Sequence, residues 1–378
     1  MSRLFEVRQS AGKGFGAFAL DNISKGTVIL SEQPVLRINK KIHDITYDDA
    51  EAAFVKLSQA DQEKVLQLHE DHKGLYDSKF HRILRANAFG QAGPSGEKTS
   101  TALFLQTSRF NHSCLPNASK IRNGIAAERD IQTGEEIFIS YADDIYELLT
   151  AKQRKVLLQR NYGFTCSCIA CRPGKYQRLS DMRRQLIAFI RAGLEGIVQP
   201  DYGKLEDIEP EDLWRVWPPA KKFRKPQISA AQKIEFAFLL ARLREAEGMT
   251  AFRIAEAYSK AAEHLMDHLN VFGSTQVLDD IMTLAGARCV RDWMLKALAV
   301  FESVMPPDDP DLKIMRYNWN NISNLTIIKL ATDPNLSHIF VSITDPDKFC
   351  SLTHSPARRR IRRSDFHKSQ HAKYRTSP

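Results

Sequence analysis

The residues most able to do chemistry in this 378-residue chain lie in three short segments. The first is Arg109–Asn117, R-F-N-H-S-C-L-P-N, and the second is Gly134–Tyr141, G-E-E-I-F-I-S-Y. The third is Tyr162–Cys171, Y-G-F-T-C-S-C-I-A-C. An Asn-His pair can hold a polar ligand, and closely spaced cysteines are typical metal ligands. These three segments are therefore the candidate functional site.

The third segment carries a cysteine triplet, Cys166, Cys168 and Cys171, within six residues. Structural zinc takes four ligands in a tetrahedral array, often all thiolates. Cys114 is the candidate for the fourth ligand because Pro116 stiffens its loop and no apolar helical pattern surrounds it. Four thiolates leave no open coordination position, so the pattern predicts a structural zinc site and not a catalytic one.

Asn111 and His112 allow a second interpretation. Alone, the pair is typical of a capped turn. A Cys–His hydrolase, with Cys114 as the nucleophile, is a competing hypothesis. A zinc-bound cysteine cannot also attack a substrate, so the two hypotheses exclude each other. Alkylation of Cys114 without loss of zinc would favour the hydrolase.

Composition limits the class of protein. The 43% hydrophobic and 26% charged residues are ordinary for a globular chain, and no apolar run is long enough to span a membrane. The N-terminus lacks an apolar signal core, so an intracellular protein is expected. Cys289 and Cys350, the two remaining cysteines, are interpreted as small buried or incidental residues.

The charge is unevenly distributed. Of the formal net charge of +9, the segment from Ser355 to Pro378 carries +7, which leaves +2 for the rest of the chain. This basic tail includes the run A-R-R-R-I-R-R at Ala357–Arg363. It is predicted to be largely disordered and could act as a nuclear-import signal, a tether to acidic chromatin or another acidic partner, or only a solubilising end.

The N-terminal half has the pattern of an α+β protein. Residues 1–38 predict short strands around a glycine-rich hairpin, and residues 39–86 predict a helical insertion in which Ser58 caps a second helical piece. Further strands are predicted at T-A-L-F-L, at Gly124–Ala127 and at Glu135–Tyr141. Short strands without alternating helices argue against a doubly wound parallel sheet.

The C-terminal half is predicted to be helical. Asp144–Arg160 reads as one helix, and Arg172-Pro173-Gly174 breaks the chain after the cysteines. Apolar residues at three- and four-residue spacing then predict five more helices, at residues 180–193, 230–247, 251–269, 275–304 and 310–331.

Together the motifs resemble those of the SET-domain lysine methyltransferases, and most closely the SMYD branch of that family. The resemblance rests on N-H-S-C-x-P-N, G-E-E-I-x-I-S-Y and Y-x-F-x-C-x-C-x-x-C in this order, with G-K-G-F-G-A-F and Asn87-Ala88-Phe89 before them. It covers residues 3–38 and 83–172. One departure is that residues 39–86 contain no cysteine, so the MYND zinc finger of the SMYD branch is missing.

The resemblance implies a cofactor, S-adenosylmethionine, and roles for named residues. Tyr141 would stand beside the transferred methyl group, and Tyr162 would line the channel that admits a lysine side chain. Phe164 would stack on the adenine. The implied cofactor-binding residues are Lys13, Gly14, Phe15, Asn87, Asn111, His112, Tyr141 and Phe164. The implied zinc ligands are Cys114, Cys166, Cys168 and Cys171.

The resemblance also implies the organisation of the chain. The expected fold is a SET β-fold with a helical insertion, a post-SET zinc clip and an all-helical C-terminal domain. The SET domain is expected to consist of an N-terminal section at residues 1–38 and a core at residues 87–145, separated by the helical insertion at residues 39–86. The post-SET segment at 146–174, the helical domain at 175–340 and the basic tail at 341–378 would follow.

The expected activity is N-methylation of a lysine in a protein substrate, histone or non-histone, by a monomer in the nucleus, the cytoplasm or both. The alternative is a catalytically weak SET scaffold that recruits protein partners through its helical C-terminal domain.

Overall fold

The computed structural model describes residues 3–70, 78–92, 98–121, 124–141, 144–195, 228–269, 281–325 and 328–329. The chain divides into two compact units. The first contains residues 1–227, 242–254 and 300–313, and the second contains residues 228–241, 255–299 and 314–378. All the predicted site residues belong to the first unit. The basic tail and Cys350 lie outside the described residues, so the structure does not test their predicted roles.

The strands of the described residues all fall in the first unit. They are β1 Phe5–Ser10, β2 Gly14–Ala19, β3 Val28–Ser31, β4 Leu36–Ile38, β5 Phe89–Ala92, β6 Lys98–Leu103, β7 Asn111–His112, β8 Ala118–Ile121, β9 Gly124–Ala127 and β10 Glu136–Ile139. They form three small sheets, with strand orders β1-β2-β10-β7, β3-β9-β8 and β4-β6-β5. The predicted α+β class with short strands is confirmed.

The first sheet positions the candidate site. β1 and β2 form the predicted hairpin, and Gly12 and Gly14 in its turn have φ values of 73° and 74°, which favour glycine. β10 pairs antiparallel with β2 and parallel with β7. The first two sheets enclose a core of small and branched apolar residues that includes Ala17, Phe110 and Ile137. β7 is therefore fixed beside β10 by a packed core.

Three described α-helices follow the first four strands, where the sequence predicts a helical insertion with two helical pieces. They are α1 Tyr47–Phe54, α2 Gln59–Val65 and α3 Lys79–Asn87. Ser58 is the N-cap of α2, as predicted, because its hydroxyl accepts the backbone N–H of Asp61. The helices pack their apolar faces on β4 and β6 through a separate core that includes Leu36, Phe80 and Leu103.

The prediction of a single helix at Asp144–Arg160 is wrong. A 3₁₀ helix covers Asp144–Leu148, and α4 begins afresh at Ala151–Tyr162. Thr150 caps α4, since it and Gln153 exchange side-chain and backbone hydrogen bonds in a capping box. α4 ends at Gly163, whose φ of 77° turns the chain between Tyr162 and Phe164.

A helix is present in each of the five predicted C-terminal segments: α5 Lys175–Glu195, α6 Ala230–Glu247, α7 Ala251–Leu269, α8 Ile281–Glu302 and α9 Pro310–Ser323. α6 and α7 have the predicted bounds, whereas α5 extends beyond the predicted 180–193 at both ends. α5 belongs to the first unit, together with the end of α6 and the start of α7. In the second unit Phe238 stacks on Trp293 with ring centroids 5.0 Å apart. Cys289 is buried, as its isolated position predicted. Among the described helices, none combines the length and the apolarity that crossing a membrane would need.

Candidate functional site

The parallel pairing of β7 and β10 brings two of the motifs together. Phe138 pairs with Asn111 and Ile139 with His112, and Tyr141 follows two residues after the end of β10. The buried imidazole of His112 then meets Tyr141 directly, because its Nδ1 accepts the backbone N–H of Tyr141 at 3.0 Å. The Asn-His segment and the tyrosine thus have a fixed relative position.

His112 contacts the cysteines on its other side. Since Nδ1 accepts a hydrogen bond, the proton of the neutral ring lies on Nε2, which donates to Cys114 Sγ at 3.3 Å. Burial lowers the pKa of His112 to about 4, so the neutral ring is the stable form. His112 cannot take a proton from Cys114 through a nitrogen that already carries one, which argues against the Cys–His hydrolase.

The ring of His112 is also one of four neighbouring aromatic rings. Together the four form what we call the aromatic cluster: His112, Tyr141, Tyr162 and Phe164. The ring centroids of Tyr141 and Tyr162 lie 5.4 Å apart, and those of His112 and Phe164 lie 5.8 Å apart. Tyr141 and Phe164 meet edge to face at 6.2 Å. Their rings are half-buried, apart from His112, which is fully buried.

Both phenols of the aromatic cluster use their protons inside the protein. Tyr141 donates its hydroxyl proton to the carbonyl oxygen of Phe110 at 2.7 Å, and Tyr162 donates to the carbonyl oxygen of Tyr141 at 3.2 Å. Burial, aided by the neighbouring Tyr162 and Glu136, raises the pKa of Tyr141 well above its usual value. Tyr141 is therefore a neutral phenol whose oxygen remains available as an acceptor.

The four predicted ligand residues lie together and form what we call the cysteine cluster: Cys114, Cys166, Cys168 and Cys171. Their sulfur atoms all lie within 4.8 Å of one another. Four sulfurs bound tetrahedrally to zinc at about 2.3 Å would lie about 3.8 Å apart, so this spacing fits a metal ion. Hydrogen bonds from Cys114 and Cys166, together with the charge of Arg154, lower the pKa of Cys171.

Two buried arginines support the cysteine cluster. Arg154, fully buried on α4, donates to Cys171 Sγ at 3.4 Å and to the carbonyl oxygen of Ala170 at 2.6 Å. Arg184 on α5 donates to the carbonyl oxygen of Cys114 at 3.1 Å and pairs with the buried Glu247 at 2.8 Å. Because a guanidinium stabilises nearby negative charge, Arg154 favours a cluster that carries thiolates.

The glycine-rich hairpin reaches the site through Asn111. Its side-chain amide donates to the carbonyl oxygen of Phe15 at 3.1 Å and to Glu136 Oε1 at 2.7 Å. Lys13 pairs with Glu136 Oε2 at 3.1 Å and lies over the ring of Phe138. Phe15 is exposed. The hairpin thus contacts Asn111 directly through Phe15 and, by way of Glu136, through Lys13. The cofactor-binding roles of Lys13, Gly14 and Phe15 stay predictions.

Asn87 lies apart from these contacts. Its buried amide donates to the carbonyl oxygens of His69 and Ile83, both at 2.7 Å, and so fastens the end of α3. No described hydrogen bond joins the Asn87 side chain to the other predicted site residues. Its role at the cofactor stays a prediction.

Sequence reasoning missed Glu136, Arg154 and Arg184. Glu136 stands inside the G-E-E motif, which could have indicated it. Arg154 and Arg184 lie in helices with many basic residues, and nothing in their local sequence separates a buried arginine from an exposed one.

Comparison with known proteins agrees with this geometry. Residues 14–142 match the family model described as SET domain. The chain is 30% identical over 196 residues to the "Histone-lysine N-methyltransferase set5" of Schizosaccharomyces pombe, which covers 50% of this chain and 57% of that protein. It is 36% identical over 89 residues to the human "Histone-lysine N-methyltransferase SMYD3", covering 22% of this chain and 20% of that protein. The human "N-lysine methyltransferase SMYD2" is 31% identical over 123 residues, covering 30% of this chain and 28% of that protein.

The chain therefore spans less than two thirds of the length of these curated relatives. The matched family model contains Asn111, His112, Cys114 and Tyr141, and it ends before the cysteine triplet. With its motifs in the expected order, the chain is similar to these lysine methyltransferases, and residues 14–142 match the SET domain.

Proposed function

We propose that the protein is an S-adenosylmethionine-dependent protein-lysine N-methyltransferase. The observation that carries this proposal is the state of the Tyr141 phenol in the aromatic cluster. Tyr141 donates its hydroxyl proton to the carbonyl oxygen of Phe110, so its oxygen can only accept hydrogen bonds from a ligand. Such an oxygen suits the N–H groups of a lysine amine, and aromatic rings suit cations.

The residues present fit the cofactor. When bound, S-adenosylmethionine supplies a methyl group that is transferred to a nucleophile. Asn111 holds the hairpin that contains Lys13, Gly14 and Phe15, and the half-buried ring of Phe164 is available for stacking. These are the elements of the site that the resemblance assigns to the cofactor.

The protein's contribution to the reaction is positioning. A neutral amine is the nucleophile, and removal from water favours the neutral form of a lysine. The Tyr141 oxygen would accept an N–H of the amine and so orient its lone pair. The raised pKa of Tyr141 makes it a poor general base, because a phenol that stays protonated has no site for another proton.

The cysteine cluster is proposed to hold one structural Zn²⁺ through Cys114, Cys166, Cys168 and Cys171. This proposal is supported by the short distances between the four sulfurs and by the hydrogen bond that Arg154 donates to Cys171 Sγ. Four thiolates give the ion no open position, so its role would be to fix the segment that carries Phe164 next to His112.

The substrate is proposed to be a protein that presents a lysine, encountered in the nucleus or the cytoplasm. A monomer and a weak chromatin contact through the basic tail remain predictions. They await experiments on the full chain.

The test is to incubate the full chain with methyl-labelled S-adenosylmethionine and a cell extract. We expect labelled protein bands and, by mass spectrometry, methylated lysine in them. The matched control is Tyr176→Phe, which removes a phenol that bonds to the carbonyl oxygen of Glu247 on α6. Labelling by the wild type that is no greater than by Tyr141→Phe would contradict the proposal and favour the scaffold alternative.

A further inference from the structure

Glu136 on β10 is a largely buried carboxylate whose role the motif does not explain. Its side chain is only 11% exposed. Oε2 accepts hydrogen bonds from Ser10 Oγ at 3.0 Å and from Lys13 Nζ at 3.1 Å. Oε1 accepts from Asn111 Nδ2 at 2.7 Å. Glu136 therefore connects the glycine-rich hairpin with the Asn-His segment.

The two partners of Asn111 determine which way its amide faces. The carboxylate of Glu136 and the carbonyl of Phe15 are both acceptors, so only the nitrogen end of the amide can lie against them. Both N–H protons of Asn111 are then used. Its Oδ1 has no donor among the residues that the structure describes, and this acceptor is what the side chain offers to a ligand.

Because Gly16 has no side chain, the Asn111 amide and the Glu136 carboxylate can lie against its Cα. A Cβ atom placed on Gly16 would lie 2.5 Å from Glu136 Oε1 and 2.8 Å from Asn111 Nδ2, closer than packed atoms approach. Any side chain at this position would displace the Asn111 amide, the Glu136 carboxylate or both.

We infer that Glu136 is a positioning residue for the cofactor and that it acts through Asn111; this inference rests on the proposed function. The amino-acid end of S-adenosylmethionine carries an ammonium group, which only donates hydrogen bonds. Glu136 holds the Asn111 amide with Oδ1 free to accept one of them. With the amide reversed, its N–H groups would face the ammonium and oppose binding.

A direct attraction between Glu136 and the cofactor's positive charge predicts a different pattern. Lys13 already neutralises the carboxylate at 3.1 Å, which weakens such an attraction. Glu136→Gln separates the two effects, since glutamine removes the negative charge but keeps an oxygen that accepts from Asn111. Glu136→Ala removes both.

The test is calorimetric titration of the full chain with two ligands. One is S-adenosylhomocysteine, the demethylated product of the cofactor, and the other is its analogue without the α-amino group. We expect Glu136→Ala to weaken binding of S-adenosylhomocysteine about tenfold and binding of the analogue less than about twofold. Glu136→Gln should stay within about threefold of the wild type for both ligands.

The adjacent Glu135 provides the matched control. It pairs with the exposed Arg129 at the edge of the turn, so we expect Glu135→Gln to leave both affinities unchanged. Should Glu136→Ala fail to fold by circular dichroism, Gly16→Ala tests the same pair from the opposite side. It should likewise weaken binding of S-adenosylhomocysteine more than binding of the deaminated analogue.

Two results would overturn this inference and leave the proposed function intact. One is equal weakening of both ligands by Glu136→Ala, which indicates a general structural role. The other is a loss with Glu136→Gln as large as with Glu136→Ala, which indicates charge. If the wild type binds neither ligand, the proposed function fails and the inference fails with it.

Discussion

The cysteine cluster and the aromatic cluster meet at His112, yet they are organised differently. In the cysteine cluster the protein supplies all four sulfurs and a buried arginine against them. In the aromatic cluster the hydroxyl oxygen of Tyr141 can still accept a hydrogen bond from a ligand. The difference suggests that one cluster maintains the structure and the other performs the chemistry, with the His112 ring as the physical connection between them.

Removal of one hydroxyl from the aromatic cluster should have the largest effect on turnover. In Tyr141→Phe the ring contacts remain, but the acceptor oxygen for the amine and the bond to the Phe110 carbonyl are lost. We expect kcat to fall about 100-fold or more, with little change in the affinity for S-adenosylhomocysteine. Steady-state kinetics and calorimetry measure the two quantities. Equal activity of the two proteins would remove Tyr141 from the chemistry.

Loss of a sulfur from the cysteine cluster should act mainly on structure. In Cys114→Ser we expect the zinc content to fall well below about one ion per chain and the affinity for S-adenosylhomocysteine to fall about tenfold. Metal analysis and calorimetry check this. Cys289→Ser is the control because Cys289 is also buried but lies outside the cluster. Unchanged cofactor affinity with the zinc gone would separate the two clusters.

The connection itself can be removed at His112. Phenylalanine would keep ring contacts with Tyr141 and Phe164 but would lose the bonds to the Tyr141 N–H and to Cys114 Sγ. For His112→Phe we expect zinc affinity to fall about tenfold and kcat to fall by a smaller factor. Competition with a zinc-binding dye measures the affinity. An effect on turnover without any effect on zinc would show that His112 serves only one cluster.

The smallest effect is expected from pH. Since burial raises the pKa of Tyr141, this phenol should stay protonated past its usual value of about 10. The rise of kcat/KM with pH should then reflect deprotonation of the substrate lysine, with no inflection from Tyr141 below about pH 10. Because the folded pKa is the higher one, Tyr141 should lower the free energy of unfolding only as pH rises above about 10. A lower inflection in the wild type that Tyr141→Phe lacks would give the phenol a role as base.

The cysteine cluster was predictable because three of its members lie within six residues and a fourth stands in a proline-stiffened loop. The supporting residues were not, since their contacts join distant regions of the chain. Glu136 and Ser10 are 126 residues apart, and Arg184 and Cys114 are 70 apart. Such pairs depend on the order of strands in the first sheet and on the docking of α5, which local patterns do not reveal.

The helix prediction failed for a different reason. The break before α4 was visible in the sequence as Thr150-Ala-Lys-Gln153, a capping box, but the leucines on both sides have helical spacing. Because the apolar spacing continues across the break, it predicts one helix where the capping box begins a new one. The helices α6 and α7, which have clear ends at Gly248 and Thr250, were predicted with the bounds that the structure shows.

The central claim is that the two clusters function as one unit, and calorimetric titration with S-adenosylhomocysteine tests it most directly. The full chain would be titrated as zinc-loaded protein, after removal of metal by a chelator and after zinc is restored. We predict binding by the loaded protein, binding at least about tenfold weaker after removal, and recovery with zinc. The same affinity in all three states would contradict the claim.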